Sequence, residues 1–394
     1  MSLLSPSAPL WSQAFRPMFL LAAIFSALAL IIWGLYYEGY PLPSLSGGVF
    51  WHSHEMVFGF ASAVVAGFLL TAVQNWTGRR AINGKPLMLL AGVWLLARVL
   101  MLCGNLVPWW LTAAVDLLFL PMVAWFFFSL LKTVGQKRNY FFSAVMLVMT
   151  VMNALMHWGN ASGDFSLVLW GGRASSLMIV LFITVIGGRV MPMFTANGAG
   201  LPRVPSIEWL DKAVLGSMWL LVALFVTTLD GMFPRWLMGL LCFVAATLQA
   251  VRVARLQVWK TMKVPLVWSL HLAYWFIPVG LVLMGLHYFN FDITFSTALH
   301  SLTAGAIGGA ILAMIARVSL GHSGRRLIPH GIMTLAFALV LTAALVRSVL
   351  VAIVPDQSLL FIGISVVLWV AAYLIFVVMY AKIMVTPRPD GRPF

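Results

Sequence analysis

WHSHEMVFGFASAVVAGFLLTAVQNWTGRR, residues 51–80, opens on two histidines and a glutamate, runs through apolar residues and closes on two arginines. Its apolar part, 52–73, has the roughly 20 residues that carry an α-helix across a hydrocarbon core about 30 Å thick. The same reading applies at 17–37, 86–103, 108–131, 140–159, 173–195, 208–229, 234–255, 265–288, 296–319, 330–353 and 358–383. None of these runs alternates with period two, which excludes a β-barrel. The first run is too long, and lacks the small-residue cleavage site, to be a removable signal peptide. The connections are short. The expected fold is all-α: a polytopic membrane protein in which residues 1–394 form a single bundle of twelve transmembrane helices.

Composition agrees. Of the 394 residues, 62% are hydrophobic and 9% charged, against about 25% charged in soluble domains. That excludes a soluble enzyme, a disordered chain and a nucleic-acid-binding module. The net charge of +14 fits basic loops facing the cytoplasm better than a nucleic-acid partner. The cysteines, Cys103 and Cys242, both sit among apolar residues and offer neither a disulfide framework nor a thiolate metal site.

Loop charges orient the spans. Lys and Arg gather in alternate connections, for example Arg79, Arg80 and Lys85, then Lys132, Lys137 and Arg138, then Arg252, Arg255, Lys260 and Lys263. Arg16, Lys382, Arg388 and Arg392 lie at the termini, while the remaining connections carry Glu38, Asp164, Asp230, Asp292 and Asp356. The positive-inside rule places both termini in the cytoplasm and the 37–51 loop outside.

Depth then organises the ionisable residues. His52, His54 and Glu55 start the second span; His157 ends the fifth; His287 ends the ninth and His300 starts the tenth, all toward the outer face. His271 lies deeper, toward the inner third. Intramembrane ionisable groups are costly and mark functional sites. Neutral imidazole ligates haem iron and copper without charge compensation. On a helix His52 and His54 point about 200° apart, so they do not share one ion. His54, with His52 as neighbouring candidate, and His300 are the expected axial haem ligands. His287, His157 and His271 are candidates for a second haem or a copper ion, and Glu55 for orienting a histidine or relaying protons.

Small residues follow two of these histidines: Gly59, Ala63 and Gly67 after His54, and Gly305, Gly308 and Gly309 after His300. They either let helices pack closely or leave room for a macrocycle. Arg98, Arg173 and Arg347 lie on the outer side, against the charge rule. Asp116 is a structural partner for Arg98; haem propionates are the functional partners for all three. Polar motifs crowd the inner face: QNWTGRR (74–80), GGRVMPMFTANG (187–198) and ARVSLGHSGRR (316–326). Their Gly and Pro content suggests shaped turns, and their bases suit topology or an anion.

The segments FRPMFLLAAIFSAL (15–28), WHSHEMVFGF (51–60), NWTGR, GGRVMPMFT, HLAYWFIPVGL (271–281), ALHSLTAGAIGG (298–309) and ARVSLGHSGR resemble the signature segments of the NnrS family. That resemblance spans nearly the whole chain. It implies a multi-pass protein of the bacterial inner membrane containing haem, b-type by expectation, and copper, tied to nitric oxide, nitrosative stress and denitrification. The plan is also similar to haem-copper oxidases and nitric oxide reductases, with haem histidines on helices 2 and 10. It departs from them in lacking paired histidines on the seventh span. The implied partners are the lipid bilayer, nitric oxide or a related small ligand, and a quinol or other electron donor. A quinol-linked reductase or oxidase and a haem or metal transporter are the alternatives; polar residues near the faces, with an apolar midplane, disfavour transport.

Overall fold

With a closed barrel excluded, an apolar run satisfies its backbone in a bilayer by pairing N–H groups with carbonyls of its own helix. The computed structural model describes residues 3–40 and 47–391, and every regular element among them is helical. Twelve helices among the described residues are long and apolar enough to cross a membrane. They are α1 (Phe15–Tyr37), α2 (Gly48–Thr77), α3 (Lys85–Leu106), α4 (Trp109–Thr133), α5 (Lys137–Ser162), α6 (Phe165–Ala199), α7 (Glu208–Val226), α8 (Arg235–Ala254), α9 (Pro265–Tyr288), α10 (Phe295–His322), α11 (Gly331–Ile353) and α12 (Pro355–Val385). Each expected span is met by one of them. Part of the 37–51 loop and Arg392 lie outside the described residues.

Local chemistry sets the ends. α2 stops at Gly78, whose φ of 66° is open to glycine at little cost, and its N–H closes the last turn on Gln74 O at 2.8 Å. Before α6, the Asp164 carboxylate accepts from Ser166 N at 3.0 Å and Ser166 Oγ at 2.5 Å. These bonds hold its carboxyl below the usual range and cap the helix start. The 187–198 motif corrects the expectation of a shaped turn, since α6 runs helically through Pro192 to Ala199. The 74–80 and 316–326 motifs do turn, at Gly78 and at Gly324 (φ 71°).

Three helices widen to a π-turn: α2 at Glu55–Ala61, α10 at Ser301–Gly309 and α11 at Val346–Leu350. Two begin directly after His54 and His300, and the third contains Arg347. In α2 the Trp94 indole donates to Gly59 O at 2.9 Å and Ser62 Oγ to Val57 O at 2.9 Å. The altered carbonyls are thus satisfied without water. Such insertions occur often at functional sites.

The small-residue faces pack closely against aromatic rings, so the glycines themselves are not the seat of a macrocycle. A Cβ at Gly59 would meet the Phe25 ring and Arg98, and one at Gly67 the Phe19 ring. At Gly305 and Gly308 it would meet Phe276 and Trp369. Rings fill the space that the missing side chains leave, where dispersion contacts are densest.

The helices gather in two compact units: Met1–Ser175 with Val318–Leu327 and Phe376–Phe394, and Ser176–Arg317 with Ile328–Ile375. In the first, Arg16 Nη1 donates to Met384 O at 2.9 Å and Thr386 O at 2.7 Å, covering carbonyls at the end of α12.

Candidate metal centre

Four helices of the first unit converge on one carboxylate. α2 brings His54 and Glu55, α3 brings Arg98, α4 brings Asp116, and α5 brings Asn153 and His157 on one face, four residues apart. His54 and Glu55 are 0% exposed and Asp116 4%, so every charge must find its partner inside the protein.

Asp116 divides its two oxygens. Oδ1 accepts from Arg98 Nη2. Oδ2 accepts from Asn153 Nδ2 at 2.6 Å and faces His54 Nε2 at 3.1 Å and His157 Nε2 at 3.2 Å. Arg98 Nη1 donates to Glu55 Oε1, which also takes His54 Nδ1 at 2.8 Å. The guanidinium fits because Gly59 has no side chain: a Cβ there would stand 2.9 Å from Arg98 Nη1. Glu55 Oε2 is buried with no hydrogen-bond partner.

Partner identities fix the protons. Asn153 spends its amide N–H on Asp116, so its Oδ1 accepts from His54 Nε2 at 2.8 Å. His54 Nδ1 faces a carboxylate. Both nitrogens of His54 therefore meet acceptors, which holds the ring as imidazolium. Two carboxylates, one guanidinium and one imidazolium sum to zero, the charge state a dry site tolerates. A metal ion held by His54 would take the place of one of these protons, and the Glu55 carboxylate on Nδ1 would orient the ring.

The nitrogens of His54 and His157 and an oxygen of Asp116 lie within 4.8 Å of one another, close enough to hold one ion. Two imidazoles and one carboxylate suit zinc, iron or copper. Of the residues expected from sequence, the structure unites His54, Glu55, Arg98 and His157. Arg98 has Asp116 as its partner, as the structural reading expected. Asp116 as a possible ligand, and Asn153, were not foreseen. Asn153 lies one helical turn before His157, and that spacing was the available signal.

The other candidates stand elsewhere. His52 turns away from His54, as helical spacing requires, and stacks on Trp33 at 4.2 Å between ring centroids. In the second unit His300 Nδ1 donates to Ser296 O at 2.7 Å, and its Nε2 accepts from Arg347 Nη2 at 3.4 Å. His287 Nδ1 donates to Ile293 O at 2.8 Å. Anchoring Nδ1 on a backbone carbonyl leaves Nε2 as the lone-pair nitrogen, the ligand-ready tautomer. His271 Nε2 meets Thr195 Oγ1 at 2.8 Å, and its buried Nδ1 has no hydrogen-bond partner. Arg173 is half-buried on α6.

None of the curated proteins compared matches the chain. The family model described as NnrS protein matches residues 9–388, nearly the whole length, and with twelve apolar helices and a buried His–Asp–His group the chain belongs to the NnrS family of multi-pass membrane proteins.

Proposed function

We propose that the protein carries a transition-metal ion on His54, Asp116 and His157 and a haem on His300, and uses them in nitric oxide chemistry at a bacterial inner membrane. The observation that carries this reading is the convergence of two imidazole nitrogens and one carboxylate oxygen within 4.8 Å, in a site closed to water. A dry, charge-balanced cluster is costly to build and is retained where a bound ion or proton does work.

The two centres ask for different ligands. His54 is hydrogen-bonded at both nitrogens and shares the Asp116 carboxylate with His157, so it suits an ion in place of haem. A monovalent ion in place of the His54 proton leaves the cluster neutral, and a divalent ion calls for one more anionic ligand. A haem on His300 would take the Nε2 lone pair that now accepts from Arg347 and release that guanidinium to a propionate, with Nδ1–H kept on Ser296 O. His287, with the same anchored tautomer, is the alternative ligand there. Haem, copper and the nitric oxide context are what the family resemblance adds. The bound groups supply redox and small-ligand chemistry; the chain supplies orientation, charge balance and exclusion of water.

The test is haem and metal content of the protein purified in detergent, by pyridine haemochromogen and by elemental mass spectrometry. His300→Ala should lose haem while keeping the non-haem metal. Arg347→Leu should weaken haem retention by roughly 10–100-fold, the size expected of an outer partner. Full haem with an unaltered reduced-minus-oxidised spectrum in His300→Ala would remove haem from that residue.

A further inference from the structure

A second polar construction lies wholly within the second unit, where α6 through α9 meet the 200–207 connection. It surrounds a cavity of 230 Å³. Its lining combines apolar Met191, Pro192, Val253 and Leu256 with Arg203, Arg252, Arg255 and Asp211. Three guanidinium groups against one carboxylate leave two positive charges in excess around this cavity. None of these residues takes part in the metal or haem reading.

Arg252 is the fixed member. Its side chain is 10% exposed, and its Nη2 donates to Thr184 O at 2.9 Å and to Tyr274 Oη. Tyr274 in turn donates to Gln249 Oε1 at 2.6 Å, and Gln249 Nε2 to Thr184 Oγ1 at 3.3 Å. That buried network grips one edge of the guanidinium. The other edge, Nη1, has Asp211 Oδ1 only at 3.8 Å, a loose pairing that leaves donors for a ligand. The glycine pair of the 187–198 motif makes the arrangement possible: a Cβ on Gly187 would stand 2.9 Å from the Tyr274 ring, and one on Gly188 would stand 2.9 Å from Arg252 Nη1. Arg255 Nη2 holds the connection through Pro205 O at 2.7 Å. Arg203 is exposed.

We propose that this cavity binds the phosphate group of an amphiphilic anion, with Arg252 as the preset donor, the exposed Arg203 closing on it and the apolar lining residues receiving the ester's carbon part. Guanidinium groups match phosphate oxygens in pairs, and basic pockets between membrane helices take phosphorylated headgroups. A soluble phosphate ester and an anionic phospholipid share this chemistry.

The experiment uses the full chain purified in detergent and stripped of lipid. Its melting temperature is followed against inorganic phosphate at constant ionic strength. In parallel, native mass spectrometry follows lipid retained from nanodiscs of phosphatidylglycerol or of phosphatidylcholine. A saturable rise with phosphate, weakened roughly tenfold in affinity in both Arg252→Gln and Arg203→Gln, identifies a soluble phosphate compound. Retention of phosphatidylglycerol alone, lost in both variants, identifies a lipid headgroup. Arg203, being exposed, keeps the test valid if Arg252→Gln does not fold. Absence of both effects in the wild type, or effects unchanged in Arg203→Gln, overturns the proposal. The metal content of the same samples reads the His54 cluster separately.

Discussion

Asp116→Asn should empty the metal centre and destabilise the folded protein by about 3–5 kcal/mol, the cost of removing one partner from a buried ion pair. The substitution keeps the side chain's size and removes only its charge. Arg98 then keeps Glu55 alone as a charged acceptor. The new amide has one oxygen where the carboxylate supplied two, one for Arg98 and one for Asn153, His54 and His157. Thermal unfolding in detergent, with and without added metal, reads both losses. Unchanged unfolding and unchanged metal content would mean that Asp116 is not the hub of the cluster.

Arg98→Leu should be at least as damaging, because it strands two buried carboxylates with His54 as their one positive partner. The yield of folded, inserted protein is expected to fall sharply. Adding Glu55→Gln should recover part of the loss, since the double variant holds one carboxylate against one imidazolium. A double-mutant cycle on unfolding should give a coupling of about 0.5–3 kcal/mol between Arg98 and Glu55. Strict additivity would show that the charge balance does not hold the cluster together.

The spans were legible because a bilayer imposes one length on every apolar run: the expected 265–288 is the observed Pro265–Tyr288. The parting of His52 from His54 was legible too, from the 100° step of the helix alone. The metal cluster was not. His54, Asp116 and His157 meet only when α2, α4 and α5 pack, and nothing local to Asp116 marks it as more than a partner for Arg98. The glycines after His54 and His300 left two readings open, and the deciding side chains, Phe19, Phe25, Phe276 and Trp369, come from other helices. The π-turns have no short sequence signature, although two of the three begin directly after histidines singled out for chemistry. GGRVMPMFTANG was misread locally: its Gly and Pro content argued for a turn, while helical packing carries α6 straight through. There the glycines admit Tyr274 and Arg252 instead of ending the helix.

In the proposed centre His54, Asp116 and His157 hold one metal ion. X-ray absorption at the edge of whichever non-haem metal copurifies tests this most directly, because imidazole rings give a distinct outer-shell scattering that counts them. The wild type should hold one such ion per chain with two imidazoles and an oxygen donor. His157→Ala should lose the ion or show a single imidazole. A wild-type protein without non-haem metal, or an unchanged spectrum in His157→Ala, would contradict the assignment.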